Sequence, residues 1–108
     1  MCRRTDGLTD AELIELCRDG DRGAFNALVG RYQSHVYGLC RHFGADFAAA
    51  QDLAQETFVR VYLDLHALRD VGNFPAWLGH VTTRVCRRSA RRHARYRHDD
   101  LDGTPESA

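Results

Sequence analysis

From Phe74 to Arg97 the chain reads FPAWLGHVTTRVCRRSARRHARYR, a stretch without an acidic residue in which apolar and basic positions share one helical period. Apolar residues recur at Phe74, Trp77, Leu78, Val81 and Val85, and arginines at Arg84, Arg87, Arg88, Arg91, Arg92 and Arg95. Both sets follow the i, i+3, i+4, i+7 rule. At about 100° per residue the arginines form a rotated continuation of the apolar stripe rather than its opposite face. The spacing therefore predicts one helix, packed at its first half and cationic at its second. Such an element suits a polyanionic partner, and nucleic acid is the commonest of that kind.

The formal net charge of zero conceals how the charge is divided. Residues 71–98 carry +7, residues 1–70 minus 3, and residues 99–108 minus 4. A neutral chain with a segregated basic segment sets that segment against an acidic partner. Every basic residue is arginine, which suits planar contacts to phosphate and also reflects genome composition. At 108 residues the chain is one domain that buries its own core without staples. The cysteines Cys2, Cys17, Cys40 and Cys86 have no CxxC spacing, and no apolar run resembles a signal peptide or a membrane span. A cytoplasmic protein with reduced thiols is expected.

The remaining segments read as further helices. Residues 1–8 are expected to form a loose tail, and Thr9-Asp-Ala-Glu12 has the capping-box spacing that opens a short first helix. Asp19-Gly20-Asp21 stops that helix and offers Asp21 as the next N-cap. Phe25, Leu28, Val29, Tyr32, Val36, Leu39, Cys40 and Phe43 then keep helical periodicity over five turns and are expected in the core. Gly44 ends this second helix, Asp46 caps a third, and Leu53, Phe58, Val61, Tyr62 and Leu65 give the third its apolar face. Its other face carries Asp52, Gln55, Glu56, Arg60 and Asp64. Ala67 to Asn73 reads as a loop, and Asn73-Phe-Pro75 as the start of the fourth helix. Beyond Arg97 the sequence has the composition of a linker, so 98–108 are expected to form an acidic tail. The fold class is all-α, a compact bundle of three long helices and one short N-terminal helix over residues 9–97.

No spacing of nucleophile, base or metal ligands points to catalysis, and neither a phosphate-binding glycine loop nor HExxH is present. Cys40 and His42, with Cys17, His35 or Cys86, could form part of a zinc site, but small core cysteines and surface histidines are the simpler account. No metal and no cofactor is expected. Aromatic and polar groups beside a cationic track are what holding an unpaired base requires. Phe74 and Trp77 stand there with Arg69, Asp70 and Asn73, although both aromatics could simply lock the fourth helix onto a core, which for Trp77 is the simpler account. Surface helices ordinarily mix charge signs, so an acid-free arginine face favours nucleic acid over a merely solvated surface.

DLAQETFVRVYLDL from Asp52, followed by the loop and by FPAWLGHV from Phe74, closely resembles the region-2 domain of bacterial ECF (extracytoplasmic function) sigma factors. DAELIELCRDGDRGAFNALVGRYQSHVYGL from Asp10 fits the start of the same domain, so the resemblance covers Asp10 to Arg95. It implies a non-enzymatic transcription initiation module. Asp52, Gln55, Glu56, Phe58 and Arg60 would meet the clamp helices of the RNA polymerase β′ subunit. Arg69, Asp70, Asn73, Phe74, Trp77, His80, Arg84, Arg87, Arg88 and Arg91 would meet promoter DNA, with a flipped base of the non-template strand of the minus-10 element at the loop. An anti-sigma factor covering these surfaces is a further implied partner.

Three positions depart from the family pattern. Arg84 stands where asparagine is common, Arg88 where aspartate is frequent, and Gln51 where an acid is usual. The first two add positive charge to the DNA face. Full-length ECF factors continue into a second, minus-35-reading domain, whereas this sequence stops within its linker-like tail. The charge pattern leaves two other functions open. One is a helical module whose basic helix binds an acidic protein, and the other is a small metal or redox protein built on the cysteines.

Overall fold

The computed structural model describes residues 7–102, with side chains for 7–95. Of the expected tails, residues 1–6 and 103–108 lie outside the described residues. Four α-helices follow one another as α1 (Asp10–Arg18), α2 (Arg22–His42), α3 (Phe47–Asp64) and α4 (Phe74–Asp102), with short 3-10 turns at Leu65–Ala67 and Val71–Asn73 between the last two. No strand occurs among the described residues. The all-α bundle of three long helices and one short one is what the structure shows.

Local chemistry sets the boundaries. Thr9 and Glu12 complete a reciprocal capping box, in which the Thr9 amide donates to Glu12 Oε1 at 2.8 Å and the Glu12 amide to Thr9 Oγ1 at 3.1 Å. Asp21 caps α2 by accepting from the Ala24 amide at 3.1 Å, and Asp46 caps α3 by accepting from the Ala49 amide at 2.8 Å. The chain leaves α1 and α2 through Gly20 and Gly44, whose φ values of 95° and 96° lie in the left-handed region that a β-carbon disfavours. Leu8 also packs against the core and its carbonyl accepts from Arg31.

One core joins all four helices. Leu13 and Ile14 of α1, Leu28, Val36 and Cys40 of α2, Phe58 and Val61 of α3, and Phe74, Leu78 and Val81 of α4 are buried together. Each large aliphatic or aromatic side chain so buried stabilises the fold by about 1.5–3 kcal/mol. The two fully buried polar side chains, Thr57 and Thr82, return their hydroxyl protons to the carbonyls of Leu53 at 2.7 Å and Leu78 at 2.8 Å. Tyr32 donates to Asp10, and Arg31 pairs with the same carboxylate at 2.9 Å, fastening α1 to α2. Burial, and then that bond to Asp10, push the Tyr32 phenol up to about 12.

Two apolar positions depart from the expected core. Tyr62 is 53% exposed and Phe43 is also exposed, although both follow the apolar period of their helices. Tyr62 sits at the edge of the bundle with Phe25 edge-to-face against it, ring centroids 5.1 Å apart. Phe43 is the C-cap of α2, outside its last helical turn. The fourth helix also differs, continuing to Asp102 rather than ending near Arg97. His98 to Asp102 contain neither glycine nor proline, so nothing in that backbone interrupts propagation before Gly103.

The 29 residues of α4 would extend about 43 Å at 1.5 Å per residue. The molecule measures 59 × 25 × 21 Å, because α4 outruns the body it starts from. Its last fully buried positions are Val85 and Cys86. From Arg87 to Arg95 every residue except Ser89 is exposed.

Candidate nucleic-acid interface and docking groove

The cationic face of α4 exists as the spacing predicts. Arg84, Arg87, Arg88, Arg91, Arg92 and Arg95 are all exposed, as is His80 one turn before them. The face is less purely basic than α4 suggests, because α3 contributes acids to its border. Glu56 approaches Arg92 at 4.0 Å, and Asp64 pairs with Arg60 at 3.8 Å beside Arg84 and Arg88. These are long, partly exposed pairs worth about 0–1 kcal/mol each, so they leave most of the positive field intact.

The connection from α3 to α4 is positioned rather than loose. Arg18, at the end of α1, donates through Nη2 to the carbonyls of Leu65, at 3.4 Å, and Leu68. Charge-assisted bonds to two carbonyls hold the start of the connection against the body. Asp70 then accepts from the Gly72 amide at 3.1 Å, and the Asn73 amide donates to the Asp70 carbonyl at 2.9 Å. This turn leaves the side chains of Arg69, Asp70 and Asn73 exposed beside the N-terminus of α4. Arg18 is a residue that sequence reasoning missed, since nothing in its spacing reveals a contact about fifty positions away.

The two aromatics divide. Phe74 is 1% exposed and packs edge-to-face on Tyr32 with centroids 5.4 Å apart, so it is a core residue and offers no face to a base. Trp77 is half-buried, 6.0 Å from Phe74 ring to ring, and keeps part of its surface open next to the turn.

The residues expected on one face of α3 fall on two sides of it. Asp52 and Gln55 line a groove of about 1000 Å³ between α2 and α3, with Phe25, Val29, Tyr37 and Val59. Glu56 and Arg60 turn the other way, toward α4. Phe58 is 9% exposed and belongs to the core, reaching the surface only as part of the groove floor. Val59 and Leu63 were not singled out by the sequence reading, yet they are 58% and 60% exposed. With Tyr62 they make α3 an apolar ridge beside the polar Gln51, Asp52 and Gln55. Contiguous exposed apolar side chains rimmed by polar ones mark an interaction surface. The signal was present as apolar residues in excess of one helix face, but periodicity cannot separate a core stripe from a docking stripe.

Among the described residues Cys17, Cys40 and Cys86 are free cysteines. Cys40 and Cys86 are buried with their sulfurs 3.7 Å apart. Burial pushes the Cys40 thiol up to about 12 and that of Cys17 to about 11, and it raises Cys86 as well. Protonated thiols are poor nucleophiles and poor ligands. Among the described residues no group of three or more His, Cys, Asp and Glu side chains is placed to hold a metal ion. No helix among them is long and apolar enough to cross a membrane.

The structure thus presents two separate surfaces, the cationic face of α4 and an apolar, polar-rimmed ridge and groove formed by α2 and α3. Residues 28–96 match the family described as sigma-70 region 2. The chain belongs to that family. It is 35% identical to the RNA polymerase sigma-H factor of Pseudomonas aeruginosa over 92% of its own length and 51% of that protein's. It is 34% identical to the ECF RNA polymerase sigma-E factor of Haemophilus influenzae over 74% of its length and 42% of that factor's. The chain thus spans about half the length of the curated relatives it matches. An engineered region 2 of sigmaE, solved by NMR in complex with GTAAAA, superposes with a TM-score of 0.77 at 30% identity, covering 84% of this chain and 95% of that one. These likenesses place the chain with the ECF sigma factors, as region 2.

Proposed function

We propose that this domain acts in transcription initiation, joining core RNA polymerase to a promoter and holding the minus-10 element open. The observation that carries the reading is the division of surfaces. The groove between α2 and α3 and the apolar ridge on α3 share no residue with the cationic face of α4, so one small body can hold a protein and a nucleic acid at once. Membership of the sigma-70 region 2 family supports it, as does the structural likeness to a region 2 bound to GTAAAA.

Gln51, Asp52 and Gln55, with Val59, Tyr62 and Leu63, form the polymerase face, and the clamp helices of the β′ subunit are the partner that fits it. An amphipathic helical surface packs apolar anchors into such a groove while its polar rim fixes register. Arg69, Asp70, Asn73 and the open part of Trp77 form the base-reading turn. An extruded base costs a few kcal/mol of unstacking, which stacking and edge hydrogen bonds recover. His80 and the arginines of α4 carry the adjoining backbone. The domain works in the cytoplasm without a catalytic residue, residues 9–97 are its working unit, and an anti-sigma factor covering either face would silence it.

The test is strand preference. Fluorescence anisotropy with a GTAAAA-bearing single strand, its complement and the duplex should show tighter binding to the first. Equal affinity for all three would reduce the α4 face to a general polyanion site. An acidic protein partner would instead be indicated if no oligonucleotide bound at moderate salt.

A further inference from the structure

Between α3 and α4 lies a cavity of about 250 Å³ lined by Arg60, Asp64, Val81, Arg84, Val85 and Arg88. The family resemblance would give Arg60 to the polymerase, but the structure sets it among the arginines of α4. Three arginines and one carboxylate line it, an excess of two positive charges. Asp64 holds Arg60 loosely, at 3.8 Å, and both side chains keep 37–40% of their surface exposed. Val81 and Val85 are each 1% exposed and close the floor with apolar surface. An apolar wall lowers the effective dielectric on that side, so an anion entering the cavity is held more strongly than on an open helix face. Planar guanidinium forks match phosphate oxygens in pairs.

We propose that Arg60, Arg84 and Arg88 form a phosphate-binding pocket, with Asp64 orienting Arg60, and that its occupant is a backbone phosphodiester of the bound nucleic acid. The proposal rests on the nucleic-acid reading of α4 and adds to it a residue from α3. A polymeric source is favoured over a free phosphate because Arg84 and Arg88 open the track that continues through Arg91 and Arg95. A chain seated on that track passes the mouth of the cavity. Arg84 and Arg88, two of the three positions that depart from the family pattern, thereby acquire a joint role as a clamp on the backbone rather than as readers of base edges.

Arg60→Gln tests this, since it removes the charge but keeps a polar stem at a partly exposed position. Binding of a labelled oligonucleotide is measured across a salt series for wild type, Arg60→Gln, Arg60→Lys and Arg91→Gln, with circular dichroism confirming the fold. Arg60→Gln should weaken binding several-fold, equally for different base sequences, and lower the slope of log K against log salt by about 0.7 for a single strand. Arg60→Lys should restore the slope. Inorganic phosphate, titrated against wild type and Arg60→Gln by thermal shift, should stabilise neither at low millimolar concentration. Selective stabilisation of wild type by phosphate, with oligonucleotide binding unchanged in Arg60→Gln, would overturn the backbone assignment in favour of a free anion. Unchanged affinity and slope in Arg60→Gln, beside a loss in Arg91→Gln and no phosphate effect, would overturn the pocket while leaving the nucleic-acid reading intact. If wild type binds no oligonucleotide, that broader reading and the backbone assignment fall together.

Discussion

Phe74→Ala is expected to cost the domain about 3–5 kcal/mol of folding stability, the usual penalty for truncating a fully buried phenylalanine. A domain of this size has a total stability of about 5–15 kcal/mol, so the variant would stand near the margin of folding. Phe74 is 1% exposed, stacks edge-to-face on Tyr32 and anchors the first turn of α4 to α2. Its removal opens a cavity at the point from which the whole cationic helix projects. The contrary expectation is equally definite. If Phe74 held a base, its loss would weaken DNA binding and leave stability alone. Urea unfolding followed by circular dichroism separates the two, and an unchanged midpoint would contradict the core assignment.

Reversing two charges on α4 should have the largest effect on binding. Arg88→Glu with Arg91→Glu removes two cationic groups and places two anions beside the phosphates. Two lost contacts lower the salt slope by about 1.8 on duplex DNA, and the added repulsion should bring the loss of affinity at moderate salt to about 100-fold or more. Both residues are exposed and unburdened by packing, so stability should stay within about 0.5 kcal/mol. Arg92→Glu should be the milder change on the same helix, because Glu56 already borders Arg92 at 4.0 Å. Equal affinity in wild type and the double variant, by anisotropy across a salt series, would remove α4 from the nucleic-acid interface.

Much of the fold is written locally. Thr9, Asp21 and Asp46 are caps because a short polar side chain precedes an apolar period, and each cap bond is present. Leu13, Leu28, Val61, Leu78 and Val81 are core because their helices bury a single stripe. Legibility failed where a neighbour decides the outcome. Tyr62 and Val59 look like any apolar helical positions, and only the placement of α2 shows that α3 has more apolar surface than the core covers. Glu56 and Arg60 share the polar arc of α3 with Gln55, yet α4 packs on that side and takes both away from the groove. The acid-free face of α4 acquires Glu56 and Asp64 from another helix, which no reading of α4 could reveal. Arg18 holds the carbonyls of Leu65 and Leu68 across the fold, a contact without local signature. At the end of α4 the acids at Asp99, Asp100 and Asp102 have the composition of a linker, but helices end at breakers and the first is Gly103.

The division of surfaces also makes the two functions separable by mutation. Changes at Val59 or Gln55 should spare DNA binding, and changes at Arg88 or Arg91 should spare the protein partner. The most direct test is therefore binding of this domain to a fragment carrying the β′ clamp helices, comparing wild type with Gln55→Ala plus Val59→Glu. Both positions are exposed, so the variant should fold normally, which circular dichroism would confirm. Wild type should bind, and the variant should bind at least about 30-fold more weakly, as expected when an apolar anchor is replaced by a desolvated charge. Absence of binding by the folded wild type, or equal binding by both proteins, would contradict the assignment of α3 as the polymerase face.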